Sequence, residues 1–211
     1  MVRALIIVDM QNDFMPKGPL GVPHADEIIP ILNHLIPKFS HVIATQDFHP
    51  ANHKSFVTSH PGKNAGDIVL VQGVEQVLWP VHCVRNTRGA ELVSTLEKTE
   101  IESIFYKGTD EWIDSYSAFF DNARRKSTGL YDYLVSRKIT ELFIAGVATD
   151  YCVLYSVIDA LDLGFTVFVI KDCCRAINLS PEDEQEAYLT MQEKGAHILS
   201  IQEVEERLGK N

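Results

Sequence analysis

Short runs of β-branched and other apolar residues alternate with helical patterns along this chain, and no other feature of the sequence limits its fold as closely. The runs fall at 4–8, 41–45, 103–106, 142–146, 166–170 and 197–201, each short enough for a strand buried on both faces. Helical spacing marks 26–39, 130–137, 151–163 and 181–194, and 203–208 closes the chain. Gly164 and Gly195 read as helix stops, and Ser180 followed by Pro181, Glu182 and Asp183 reads as a helix start. Parallel strands need crossover connections, so the alternation predicts a three-layer α/β fold: a mainly parallel six-stranded sheet with helices on both faces. In such open sheets ligands bind beyond the carboxyl ends of the strands, and residues just after each strand are the place to look for chemistry.

A chain of 211 residues, 45% hydrophobic, has enough apolar material for one sizeable core, and residues 1–211 read as a single domain. The 29 acidic residues outnumber the 19 basic ones, and the net charge of -10 repels nucleic acid and anionic membranes. No apolar run approaches the ~18 residues of a membrane span, and the opening stretch is too short for a secretory signal. Cys83, Cys152, Cys173 and Cys174 include no C-x-x-C pair. A soluble cytoplasmic protein with free thiols is expected. One segment, about 47–99, breaks the rhythm, with a brief apolar run at 67–71 and a short helical pattern near 90–98. Long insertions in compact domains are functional or disordered, and its aromatic and apolar content favours function.

Three strand ends carry candidate chemistry. Asp9 follows the first run, Lys107 follows the run at 103–106, and Cys152 falls in the first turn of the helix that starts after 142–146. Taken singly, these are an acidic turn residue, a surface charge and a small buried hydrophobe. Taken together they make a nucleophile, a cation beside it and a carboxylate able to move its proton. A helix N-terminus and a nearby lysine are both expected to favour the thiolate of Cys152.

Five of the eight histidines lie between His41 and His82, most closely grouped in Asp47-Phe48-His49-Pro50-Ala51-Asn52-His53. If Asp47 and His49 continue the second strand, their side chains point to one side, as a single metal ion requires. A carboxylate with imidazoles suits zinc, manganese or iron. His82 is the best further ligand, and exposed loop histidines are the plainer alternative. His53 reads either as a ligand or as the holder of a metal-bound water, and His60 is a weaker candidate. Phe14, Trp79 and Tyr116, each in a segment next to a candidate residue, either plug the edge of the core or wall a slot for a flat ring.

The stretches Val8-Asp9-Met10-Gln11-Asn12-Asp13-Phe14, Thr45-Gln46-Asp47-Phe48-His49-Pro50, Trp79-Pro80-Val81-His82-Cys83, Asp114-Ser115-Tyr116-Ser117-Ala118-Phe119-Phe120 and Gly146-Val147-Ala148-Thr149-Asp150-Tyr151-Cys152-Val153 resemble the isochorismatase-like cysteine hydrolases over essentially the whole chain. The metal-site and Trp-Pro stretches resemble the nicotinamidase (pyrazinamidase/nicotinamidase) group within them. The resemblance implies a catalytic triad of Asp9, Lys107 and Cys152, an oxyanion hole at the backbone N–H groups of Ala148 and Cys152, and a non-proline cis peptide between Val147 and Ala148. It also implies one divalent cation on Asp47, His49 and His82, zinc first with iron or manganese also fitting. The activity implied is hydrolysis of nicotinamide to nicotinic acid and ammonia through a cysteine thioester, in NAD salvage, with pyrazinamide also accepted. Phe14, Trp79 and Tyr116 would contact the substrate. Two alternatives stay open at this stage: a sister hydrolase acting on a carbamoyl or ureido compound or on isochorismate, and a non-catalytic metal-binding or interaction module that has kept the fold. Monomer and homo-oligomer are both open as well.

Overall fold

The computed structural model describes residues 1–209 and contains the expected sheet. Strands β1 (Val2–Val8) and β2 (Val42–Asp47) precede a separate hairpin, β3 (Ile68–Val71) with β4 (Val74–Val77). Strands β5 (Ser103–Lys107), β6 (Ile139–Val147), β7 (Thr166–Arg175) and β8 (His197–Leu199) follow. The main sheet runs β5-β2-β1-β6-β7-β8 with every neighbouring pair parallel. Counting its six strands in chain order, the sequence across the sheet is 3-2-1-4-5-6, so the order of winding reverses between β1 and β6. That reversal leaves a crevice outside the carboxyl ends of those two strands.

Helices α1 (Ile29–Leu35), α2 (Leu130–Ser136), α3 (Leu154–Asp162), α4 (Asp183–Glu193) and α5 (Ile201–Gly209) cover the two faces. Alternation along β1 assigns the layers. Leu5 and Ile7 join Ile29, Leu32 and Leu35 of α1 and Val204 of α5 in one core. Ala4, Ile6 and Val8 join Leu130 and Leu134 of α2, Val157 and Ala160 of α3, and Ala187 and Met191 of α4 in the other. Central strands buried on both faces lack the polar alternation of a half-exposed strand, whereas the edge strand β5 leaves Ile104 and Tyr106 exposed and so departs from the expected burial on both faces.

Several local expectations are corrected. The 26–39 pattern is divided into a 3-10 turn (Ala25–Ile28), α1 and a second 3-10 turn (Ile36–Lys38). Pro37 has no N–H to continue the α-helical ladder, so α1 stops short of it. Helix α4 starts at Asp183 rather than Pro181, because Ser180 N donates to Asp183 Oδ2 (2.8 Å) and Asp183 N to Ser180 O (3.1 Å), closing a turn first. No helix forms over 90–98: Leu92 bridges Gln11 and Val93 N donates to Met10 O (2.9 Å), which draws this stretch out and buries Leu92, Val93 and Leu96 by another route. The 197–201 run ends as strand at Leu199, and Ile201 opens α5. No helix among the described residues is long and apolar enough to cross a membrane.

Candidate active site

Asp9 is the first residue after β1 and adopts a left-handed backbone with φ 53°. Thr45 on β2 fixes it twice: the Thr45 hydroxyl donates to Asp9 Oδ1 (2.6 Å) and Asp9 N donates to Thr45 Oγ1 (3.2 Å). Gly146 on β6 permits the close approach, since a Cβ there would sit 2.1 Å from Val8 O. Lys107 is the last residue of β5, one place earlier than expected, and lies opposite Asp47 in the β2–β5 register. Its side chain is buried and its Nζ lies 2.8 Å from Asp9 Oδ2. The same ammonium donates to Asp47 Oδ1, to Ser115 O (3.0 Å) and to Cys152 Sγ (3.3 Å). Cys152 sits in a single π-turn (Thr149–Val153) between β6 and α3, a type of irregularity frequent at functional sites. The Val147–Ala148 peptide is cis, as the resemblance implies. The three residues therefore meet at the crevice between β1 and β6.

Charge in this cluster is balanced by burial and proximity. Burial alone would pull the Lys107 ammonium down, but the carboxylates of Asp47 and Asp9 outweigh it and raise its pKa well above the usual lysine value. Burial likewise works to raise Asp47, yet Lys107 and His49 hold it well below the ordinary carboxylate range. At Asp9 burial prevails over Lys107, and the carboxyl is raised. Opposed influences act on Cys152. Burial pushes the Cys152 thiol well above its ordinary value, Lys107 offsets this in part, and the Asp9 charge adds to the rise. The thiol lies beside the Asp9 carboxylate, which is able to accept its proton.

Asp47, His49 and His82 place three ligand atoms within 4.8 Å of one another. His49 N donates to Cys83 O (3.0 Å) and Arg85 N to His49 O (2.8 Å), so the returning arm of the insertion lies beside the end of β2 and brings His82 in. His49 Nδ1 is 2.8 Å from Gly108 O, and His82 Nδ1 is 2.8 Å from Pro80 O. A carbonyl accepts only from N–H, so each ring carries its proton on Nδ1 and offers the Nε2 lone pair toward Asp47 Oδ2, at 3.5 and 3.8 Å. His49 Nε2 is buried with no hydrogen-bond partner. One carboxylate oxygen and two bare imidazole nitrogens facing each other in a dry site fit a divalent metal. Gly108 makes room for the arrangement, with φ +60° and a would-be Cβ 2.3 Å from His49 Cε1. Gly108→Ala is expected to displace the His49 ring and to lower bound metal by at least about tenfold, the low end for loss of a residue supporting a ligand. Metal analysis after dialysis against limiting metal, with circular dichroism to verify folding, checks this.

His53 lies beside the set but is oriented differently. Ser55 N donates to His53 Nδ1 (3.1 Å), which puts the ring proton on the buried, unpartnered Nε2. Burial lowers the His53 pKa to about 4, so the ring is neutral. His60 is occupied elsewhere, with Nε2 2.8 Å from Lys54 O.

Phe14, Trp79, Tyr116, Asp47, His82, Ala148 and Cys152, all singled out in the sequence, line one small cavity of about 20 Å³. Trp79 Nε1 donates to the Tyr116 hydroxyl (3.2 Å), and Gln76 on β4 reaches the same oxygen (3.3 Å), so the hairpin steadies the aromatic walls. Sequence reasoning missed four lining residues: Leu20, Asp114, Tyr151 and Ile177. Two carried a signal, since Tyr151 adjoins Cys152 and Asp114 opens a stretch quoted for the resemblance. Leu20 and Ile177 are aliphatic loop residues with none. A much larger groove of about 920 Å³ opens where β7, α4 and α5 meet, but it contains none of these residues.

Comparison with known proteins agrees with this geometry. The model of the isochorismatase domain matches residues 3–203. The chain is 44% identical to the nicotinamidase of Escherichia coli over 98% of its own length and 99% of that protein. A nicotinamidase/pyrazinamidase structure from Acinetobacter baumanii superposes with a TM-score of 0.93 at 40% identity, covering 96% of this chain and 97% of that one. The pyrazinamidase of Pyrococcus horikoshii in complex with zinc gives 0.78 at 38% identity, with coverage of 95% and 100%. Matches this long and this specific establish that the chain belongs to the isochorismatase-domain family and, within it, to the nicotinamidase group.

Proposed function

We propose that this protein is a single-domain nicotinamidase that hydrolyses nicotinamide to nicotinic acid and ammonia, with Cys152 as nucleophile. The observation carrying this reading is the buried contact of Lys107 with Asp9 and Cys152, with Cys152 lining the same cavity as Asp47 and His82 of the three-ligand set. The thiol proton of Cys152 passes to Asp9 as the sulfur attacks the carboxamide carbon, and Lys107 balances the charge on both groups. The tetrahedral oxyanion forms against the N–H groups of Ala148 and Cys152, each donor contributing roughly 3 kcal/mol in comparable sites. Collapse expels ammonia, which takes its proton back from Asp9 and leaves a thioester. Asp9 then accepts a proton from water, whose oxygen attacks the thioester, and the thiol is regenerated as the acid departs.

Asp47, His49 and His82 would hold the divalent metal, which supplies a Lewis acid for the pyridine nitrogen and thereby orients the ring. Zinc is the metal favoured, on the donor set and on the zinc complex of the Pyrococcus relative. His53, with its proton on Nε2, is read as a donor to a metal-bound water rather than as a ligand. Phe14, Trp79 and Tyr116 form the slot for the ring. Pyrazinamide, a flat amide with a ring nitrogen in the same place, is a second substrate. Four free cysteines favour a reducing cytoplasm, where the nicotinic acid released would feed NAD salvage. Purified, metal-loaded protein is expected to release ammonia and nicotinic acid in equal amounts from nicotinamide. Hydrolysis of other amides with nicotinamide untouched would refute the substrate assignment.

A further inference from the structure

The wall of the cavity beside Cys152 is built largely from Phe14, Leu20, Trp79, Tyr116, Tyr151 and Ile177. Most of that wall is held firmly: Phe14 and Trp79 are buried, and Tyr116 is tied to Trp79 and Gln76. Leu20 and Ile177 are the partly exposed aliphatic side chains of the wall, and Ile177 lies on the loop between β7 and α4.

What holds Ile177 in place is Asp150, in the same π-turn as the nucleophile. Its Oδ1 accepts from Ile177 N (3.0 Å) and its Oδ2 from Asn178 N (2.8 Å). One carboxylate thus holds two consecutive backbone amides, a charge-assisted pair stronger than neutral hydrogen bonds. Asn178 is left-handed, with φ 55°, and its Oδ1 accepts from Glu184 N in the first turn of α4. Asp150 is itself only 7% exposed, and nothing in the hydrolysis described above uses it.

We propose that Asp150 is a positioning residue whose carboxylate clamps the Ile177–Asn178 amides, holds Ile177 in the wall of the substrate cavity and sets how firmly that wall is kept in place. The inference rests on the reading of Cys152 as the nucleophile of this cavity. With the clamp made, Ile177 is kept against the space the ring would occupy; without it, the wall loosens and Cys152 becomes easier to reach.

The test uses the metal-loaded full chain as wild type, Asp150→Ala, Asp150→Asn and Ile177→Ala. Cysteine alkylation by iodoacetamide and by the bulkier fluorescein maleimide is followed peptide by peptide in the mass spectrometer, alongside kcat and KM for nicotinamide. Loss of the clamp is expected to speed reaction of Cys152 with the bulky reagent by at least about tenfold, more than with the small one, while Cys83, Cys173 and Cys174 stay unreactive. KM should rise more than kcat falls, and Ile177→Ala should reproduce the KM change without touching the π-turn. An unchanged maleimide rate at Cys152 would overturn the proposal. So would all four cysteines reacting together, or a fall in kcat alone with Ile177→Ala silent, since both describe a merely structural role. If Asp150→Ala does not fold, Asp150→Asn decides, because it keeps the side chain's size and one acceptor. Gated alkylation in a protein that leaves nicotinamide intact would support the clamp and refute only the substrate assignment.

Discussion

Replacing Cys152 by Ala is expected to lower nicotinamide hydrolysis by at least about four orders of magnitude, with metal content and fold unchanged. The sulfur lies against the Lys107 ammonium and lines the cavity. Truncation removes one sulfur atom at the edge of a core that borders the cavity, so melting should shift by no more than a few degrees. The effect is specific to position and not to the thiol as such. Cys173→Ala, on β7 and within the core, should lose stability but keep kcat within a few fold. Steady-state kinetics with parallel melting curves decide the matter, and a Cys152→Ala protein retaining a tenth of wild-type turnover would remove Cys152 from the mechanism.

Lys107→Met is expected to damage both stability and rate. The ammonium lies between Asp9 and Asp47, two buried carboxylates that otherwise face each other in a dry crevice. Breaking a buried ion pair by deleting one partner leaves an uncompensated charge and costs about 3–5 kcal/mol. Methionine keeps most of the volume, so the loss reports charge rather than a cavity. Turnover should fall by about two to three orders of magnitude, as for removal of a single electrostatic stabiliser in comparable sites. Urea unfolding and kcat measured together check it. A variant with wild-type stability and a large rate loss would mean that Asp9 and Asp47 are neutralised by other means.

The strand-end rule made Asp9 and Cys152 legible, because it needs only the order of strands and helices, and apolar runs reveal that order directly. Lys107 was legible as the end of β5, but its bond to Asp47 was not: that depends on the register Asp47↔Lys107 between strands some sixty residues apart. Asp47 and His49 share a side because the strand direction persists past β2, with Phe48 N donating to Lys107 O (2.9 Å). The hairpin was only half visible. Its turn, Gln72-Gly73, has φ 53° and 80°, and Asn-Gly or Asp-Gly would have announced it where Gln-Gly did not. The effect of burial on Cys152 was not legible in the sequence, since helix-end electrostatics are local while burial by the rest of the fold is not. Ile177 and its clamp had no signal, because Asp150 and the loop it holds come together only when β6 and β7 are paired.

The central claim is that hydrolysis passes through an acyl group on Cys152, and trapping that acyl group tests it most directly. Metal-loaded enzyme turning over nicotinamide in the presence of hydroxylamine should divert part of its product from nicotinic acid to the nicotinoyl hydroxamate, at a rate set by the enzyme and absent with Cys152→Ala. Full nicotinic acid release with no hydroxamate at any hydroxylamine concentration, or hydroxamate formed equally by Cys152→Ala, would contradict a cysteine thioester.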